Sequence, residues 1–205
     1  MRAAIDLADS GGIDALSMRK LGQSLGVEAM SLYNHAANKD EILDGIVDSV
    51  IGEIEVISGD GDWTTQMRRQ VLMARQVLLR HPWAPRVIES RPDAGPATLR
   101  YMESVIAILR EGGLSVDMTH HAIHVLGSRL LGFTQELFDE MGESGPSSEV
   151  TAIMARQMAD TLPYMTELAL AVSHEGGLGG CDDDVEFAFA LDLILDGLER
   201  LRATS

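Results

Sequence analysis

An all-α fold is predicted, with a small N-terminal unit of three helices followed by a larger helical body. Three observations predict it. Apolar residues recur at helical spacing along nearly the whole chain, alternating strand patterns are scarce, and glycine and proline sit mostly between periodic segments. With 205 residues and 45% hydrophobic composition, the chain has enough apolar material for a small domain joined to a larger one, or for a single large one.

The elements follow in order. "RAAIDLADS" carries helical periodicity and stops at Gly11-Gly12, a helix-ending pair. Ser17 is placed to cap "MRKLGQSL", where Met18, Leu21 and Leu25 fall on one face. Gly26 supplies a turn, and "EAMSLYNH" is expected to make about two helical turns. Asn38 caps a longer helix from Lys39, whose apolar stripe is Ile42, Leu43, Ile46, Val47, Val50, Ile51 and Ile54. The break "ISGDGD" puts the domain boundary between 1–55 and 56–205.

Beyond it come "WTTQMRRQVLMARQVLLRH", a break around Pro82 and Pro85, "ATLRYMESVIAILREGG", and a long helix capped by Ser115 and running to about Met141. After the polar stretch "GESGPSS", Pro163 starts a new helix or kinks one, because proline lacks a backbone donor. Asp182 to Asp184 favour the N-terminus of the final helix, "VEFAFALDLILDGLERLR". That helix and "HAIHVLGSRLLGFTQELF" carry more apolar surface than one small core needs. Pairing between subunits accounts for the surplus, and a deep intramolecular core is the alternative.

Composition narrows the function classes. No 18-residue apolar run is present, and the N-terminus lacks a secretory leader pattern, so neither a membrane span nor export is expected. One cysteine, Cys181, precludes an internal disulfide and fits a reducing cytoplasm. There is no Gly-rich phosphate loop, nucleophile elbow or metal-protease helix, and Ser144 sits in a polar loop without strand context. Catalytic residues and cofactors are therefore expected to be none.

The formal charge of −16 argues against a nucleic-acid partner at first sight. Residues 1–50, however, hold four basic against eight acidic residues, a net of −4, and the other −12 lies beyond them. Both lysines of the chain, Lys20 and Lys39, are in that first segment. Phosphate contacts are local, so the acidity of the body does not decide the matter.

A helix, a Gly turn and a short second helix near a chain terminus form the layout of a helix-turn-helix reader. The segment "GGIDALSMRKLGQSLGVEAMSLYNHAANKDEILD" resembles the DNA-binding domain of the tetracycline repressor (TetR) family. The resemblance is carried by Gly12-Ile13, Leu16-Ser17, Arg19-Lys20-Leu21, Leu25-Gly26-Val27, Ser31-Leu32-Tyr33, His35, Asn38-Lys39 and Leu43. "FALDLILDGLERL" resembles the last helix of the tetracycline-repressor-like subgroup, and the spacing of "ESRP" and "GGLS" fits it.

The resemblance implies an N-terminal helix-turn-helix domain and a helical domain for effector binding and dimerisation. It implies a cytoplasmic homodimer that binds double-stranded DNA, without a membrane, and leaves a palindromic operator when a small molecule binds. The alternative is a helical small-molecule-binding or interaction module that no longer binds DNA. Ala29 and Met30, the acidic first 50 residues and the lack of a basic arm before the first helix favour that alternative.

The implied DNA-binding residues are Ser17, Arg19, Ala29, Met30, Ser31, Tyr33, His35 and Lys39. Lys39 opens a helix, where its ammonium and free backbone N–H groups suit a phosphate. Arg19 matches the guanine O6/N7 edge, with a salt bridge as the rival reading. Ala29 and Met30 suit thymine methyl groups but offer no hydrogen bond. Tyr33 and His35 either donate to phosphates or pack the domain, and Ser17 is first of all a cap. Glu28 is acidic at a phosphate-facing end, or serves as a helix-start carboxylate.

Arg91, Met102, His120, His124, Gln135 and Glu136 are candidate effector-binding residues. In "DMTHHAIHVLG", Asp117, His120 or His121, and His124 share a helix face, so a metal site and a polar pocket lining are both open readings. No metal is assigned. The position that would match the drug-bound magnesium ligand of the tetracycline repressor falls near Val87, which cannot ligate.

Overall fold

The computed structural model describes residues 1–57, 61–132, 153, 156, 157, 159–172 and 183–204. All regular structure among them is helical. The chain divides into two compact units, Met1–Gly132 with Asp192–Ser205, and Phe133–Leu191.

The first unit opens with α1 (Arg2–Gly11), a 3-10 turn at Ile13–Ala15, and α2 (Met18–Leu25). Ser17 caps α2, its Oγ accepting the Lys20 backbone N–H at 3.2 Å. Gly26 ends α2 in the left-handed region, φ 67°, and its N–H reaches the carbonyls of Gly22 and Gln23. Such a φ costs a residue with a Cβ about 1–2 kcal/mol. Gly22 matters for a different reason: a Cβ there would stand 2.9 Å from the Val27 carbonyl oxygen and 3.2 Å from Ala29 Cα. Its bare backbone is what lets α2 and α3 approach.

Along the face of Met18, Leu21 and Leu25, Leu21 is buried and Met18 partly so, while Leu25, next to the Gly26 cap, is 51% exposed. One expectation is corrected here: the reading segment is shorter than two turns. α3 spans only Ala29–Leu32, and the chain continues through turns in which His35 N–H and Ala36 N–H both return to the Leu32 carbonyl.

α4 (Lys39–Ile51) starts where expected, with Asn38 Oδ1 accepting the Glu41 N–H at 2.9 Å. The stripe of Ile42, Ile46, Val47, Val50 and Ile51 is buried, and Leu43 is partly so. Ile54 is buried as well, but it lies past the end of the helix.

α5 (Trp63–Arg80) is capped by Asp62, whose Oδ1 accepts the Thr65 N–H at 2.8 Å. Then come α6 (Ala84–Ser90), α7 (Pro96–Glu111) and α8 (Val116–Gly132), the last capped by Ser115 Oγ. The expected continuation of α8 to Met141 lies outside the described residues. α9 (Pro163–Val172) begins at the proline itself, and α10 (Asp183–Thr204) follows.

One apolar cluster joins α1 (Ala4, Ile5, Ala8) to the α4 stripe, to Ala74, Val77 and Leu78 of α5, and to Trp83 and Val87 at α6. Burying each large aliphatic side chain stabilises by about 1.5–3 kcal/mol. Polar ties register the helices. Asp9 Oδ1 accepts the Trp83 indole N–H at 2.7 Å and stands 2.8 Å from His81 Nδ1, while His81 Nε2 faces Glu53 at 3.4 Å. Fully buried Gln70 accepts from Ile57 N–H and donates to the Glu55 carbonyl, holding the chain as it leaves α4. Trp63 Nε1 donates to Glu199 at 2.9 Å, and Arg68 Nε to Asp192 at 2.7 Å, fastening α10 onto α5.

Candidate nucleic-acid interface and effector half

The first candidate surface is built by α2, α3 and the start of α4. Ser17, Arg19, Ala29, Met30, Ser31, Tyr33, His35 and Lys39 all fall on or beside these elements, and none of them is buried. Ser17 uses an oxygen lone pair for its cap, so its O–H proton is still available to a phosphate, and capping and contact are compatible. Met30 is 75% exposed, Val27 44% and Tyr33 46%, so large apolar side chains face solvent in and around α3. Leu32 and Ala36 are the buried anchors of this segment.

Polar capacity is arranged unevenly. Ser31 Oγ donates to the Glu28 carbonyl at 2.7 Å, so its proton is committed. Glu28 makes no side-chain capping bond, which leaves its carboxylate facing solvent at the N-terminus of α3. At α4, Glu41 Oε2 turns back to the Ala37 N–H at 2.7 Å while Asn38 takes the Glu41 N–H. This reciprocal capping satisfies two donors that a phosphate might otherwise take, so Lys39 itself is the positive feature of this helix start.

The models of two known domains match the chain: "Bacterial regulatory proteins, tetR family" over residues 1–46, and "Tetracyclin repressor-like, C-terminal domain" over residues 57–202. The chain belongs to the TetR family.

Relatives agree. The HTH-type transcriptional repressor DrrR1 of Streptomyces coeruleorubidus is 32% identical over 99% of this chain and 77% of its own length. Apo ActR of Streptomyces coelicolor superposes with a TM-score of 0.82 at 27% identity, covering 99% of this chain and 94% of that one. ActR has also been crystallised with actinorhodin, and that structure matches with a TM-score of 0.81 at 28% identity over 98% and 95% of the two chains. The all-α, helix-turn-helix architecture and the assignment as a ligand-responsive DNA-binding transcriptional regulator follow. The family is one of regulators rather than of enzymes. Among the described residues, no helix is long and apolar enough to cross a membrane.

In this TetR-family chain the described effector candidates lie just past α6, on α7 and on α8. Arg91, just past α6, is committed to α4: its Nε donates to Asp44 at 2.5 Å and its Nη1 to Asp40 at 2.8 Å. Those two carboxylates hold the guanidinium above its ordinary pKa. Asp48, one turn further along α4, accepts the backbone N–H of Thr98 at 2.9 Å and its hydroxyl at 3.1 Å. Asp40, Asp44 and Asp48 thus form a ladder along one face of α4, received by the segment after α6 and by the first turn of α7.

Met102 is half-buried on α7. His120 and His124 are exposed on α8 with ring centroids 4.6 Å apart, and His121 lies 5.8 Å from His120. No group of three or more His, Cys, Asp or Glu among the described residues is arranged to hold a metal ion. Gln135 and Glu136 lie outside the described residues. A cleft of about 300 Å³ is lined by Arg110, Gly113, Leu114, Ser115, Met118 and Arg202, none of them among the candidates.

Sequence reasoning missed the Asp40–Asp44–Asp48 ladder. Its i, i+4, i+8 spacing was a readable signal, whereas Arg91 as its partner lies about fifty positions away and leaves no local trace.

Proposed function

We propose that this chain is a cytoplasmic homodimeric repressor without catalytic activity, which leaves a palindromic operator when a small molecule binds its C-terminal half. Residues 1–55 form the DNA-binding domain and residues 56–205 the effector-binding and dimerisation domain. Ser17, Tyr33, His35 and Lys39 contact phosphates, Arg19 reads a guanine, and Ala29, Met30 and Ser31 meet base edges.

The observation that carries the regulatory part is the ion pairing of Arg91 with Asp40 and Asp44. It joins the helix that begins at Lys39 to the segment following α6. A ligand that favours a different setting of that segment moves α4 with it, and only differential affinity for the two settings is required. Half-sites lie about 34–36 Å apart, one DNA turn, so a small change in the separation of two reading helices spoils simultaneous docking.

Dimerisation is supported by exposed apolar residues on the late helices, Tyr164 and Met165 of α9, and Val185, Phe189, Leu193 and Leu201 of α10. Met102, His120, His124, Gln135 and Glu136 are assigned to the effector site.

Because ActR is crystallised with actinorhodin, that compound opens the panel of small molecules to be titrated into the protein–operator complex. A ligand that binds the protein and releases the DNA, with the release weakened in Arg91→Ala, supports the proposal. Ligands that bind the protein and leave the DNA bound contradict it.

A further inference from the structure

We propose that Asn34 reads an adenine in each operator half-site. The proposal rests on the assignment of the α2–α3 unit as the DNA reader, and it deepens that assignment. It starts from what α3 lacks. Of its four residues, Ala29 and Met30 have no hydrogen-bonding side-chain donor, Leu32 is buried, and the Ser31 proton is spent on the Glu28 carbonyl. Distinguishing a purine in the major groove takes a donor toward N7, and for adenine an acceptor toward N6 as well. No residue of α3 supplies that pair.

Asn34 does. It is exposed, and its side-chain amide has no partner among the described residues. Its backbone is fixed although it lies beyond α3. Its own N–H reaches the Ser31 carbonyl at 3.3 Å, and the next two N–H groups close on Leu32 at 2.9 and 3.0 Å. Leu32 and Ala36, buried on either side of it, anchor that turn.

Asn34 stands four residues after Met30, two positions past the end of α3, and both side chains are exposed. A short asparagine on a held backbone loses little freedom in forming a bidentate pair. Its Nδ2 donates to adenine N7 and its Oδ1 accepts from adenine N6. Met30, itself exposed on α3, presents only an apolar thioether chain, which suits a thymine methyl and does not compete for the adenine edge.

The test is selection of operator duplexes with the full-length chain and with Asn34→Ala. The duplex enriched by the wild type is then resynthesised with 7-deazaadenine, which lacks only the N7 acceptor, at single positions. The expected result is one adenine per half-site whose identity is lost in the Asn34→Ala selection. Deaza substitution there weakens wild-type binding on the order of tenfold and leaves Asn34→Ala unaffected. If Asn34→Ala enriches the same sequence and binds every duplex uniformly more weakly, Asn34 touches a phosphate and the proposal is overturned, while the DNA-reading assignment survives. If the wild type enriches nothing, the assignment itself falls and this proposal falls with it. Asn34 is exposed, so its truncation leaves the core intact, and the modified bases report on the unaltered protein in any case.

Discussion

Arg91 and Asp44 lie 2.5 Å apart, nitrogen to oxygen, joining the end of α6 to the outer face of α4. The Arg91 side chain is 15% exposed and Asp44 42%, so the pair is partly shielded and held in one geometry, with Asp40 accepting a second bond from the same guanidinium. Pairs of this kind contribute about 0.2–1 kcal/mol to stability. Their larger effect here is on where α4 sits. Arg91→Ala is expected to lower the thermal midpoint only slightly and to weaken operator binding several-fold, because α4 is no longer held. Calorimetry beside operator titration separates the two effects. Equal, large losses in both would mean that Arg91 serves only stability.

Lys39 is the exposed cation at the start of α4, beside donors already satisfied by Asn38 and Glu41. Lys39→Ala is expected to weaken binding to all duplexes alike. It should also reduce the slope of log affinity against log salt by about one. A change in sequence preference instead would move Lys39 from the phosphates to the bases.

Gly22 carries the close approach of α2 to α3. In Gly22→Val a side chain meets the Val27 carbonyl oxygen and the Ala29 backbone, atoms that cannot swing aside. The expected cost is about 1–3 kcal/mol in denaturant unfolding, with operator affinity falling further because the two helices are forced apart. Unchanged stability would show that the unit repacks freely.

Glu199 bonds Arg202 and the Trp63 indole, which together hold its carboxyl at about 2, well below the ordinary range. A depressed carboxyl binds its proton more weakly in the folded chain than in the unfolded one. Its stabilisation is therefore fully present above the ordinary value near 4.5 and is lost as pH falls toward about 2. Glu53 adds to the same acid limb. Desolvation pushes its carboxyl up, but hydrogen bonds from Arg80 and His81 outweigh that and bring it below its usual value. In Glu199→Gln the stability difference from wild type should be constant above about pH 5 and shrink below it. A pH-independent difference would show that the carboxylate charge contributes nothing.

What the sequence disclosed followed the range of the interactions. Ser17, Asn38 and Ser115 were readable as caps because a cap is settled within three residues, and the α4 stripe was readable because burial follows helical periodicity. The length of α3 was overestimated, since "EAMSLYNH" has acceptable helix formers throughout. Its extent depends on where Leu32 and Ala36 anchor in the core, which is a tertiary effect. The exposure of Leu25 was not legible, because periodicity assigns a helix face and says nothing of how much of it the rest of the fold covers. Arg91 on Asp44 and Trp83 on Asp9 join positions far apart in the chain, and composition carries no sign of such partners. The reading surface was legible mainly through family resemblance. Asn34 went unnoticed because its free amide becomes visible only once the neighbouring hydrogen bonds of Ser31 and Glu28 are known.

If an acidic chain with few cations reads a specific duplex as a dimer, selection from random duplex DNA at near-physiological salt will enrich a palindrome with half-sites one helical turn apart. A folded, dimeric protein that enriches no sequence would contradict that reading.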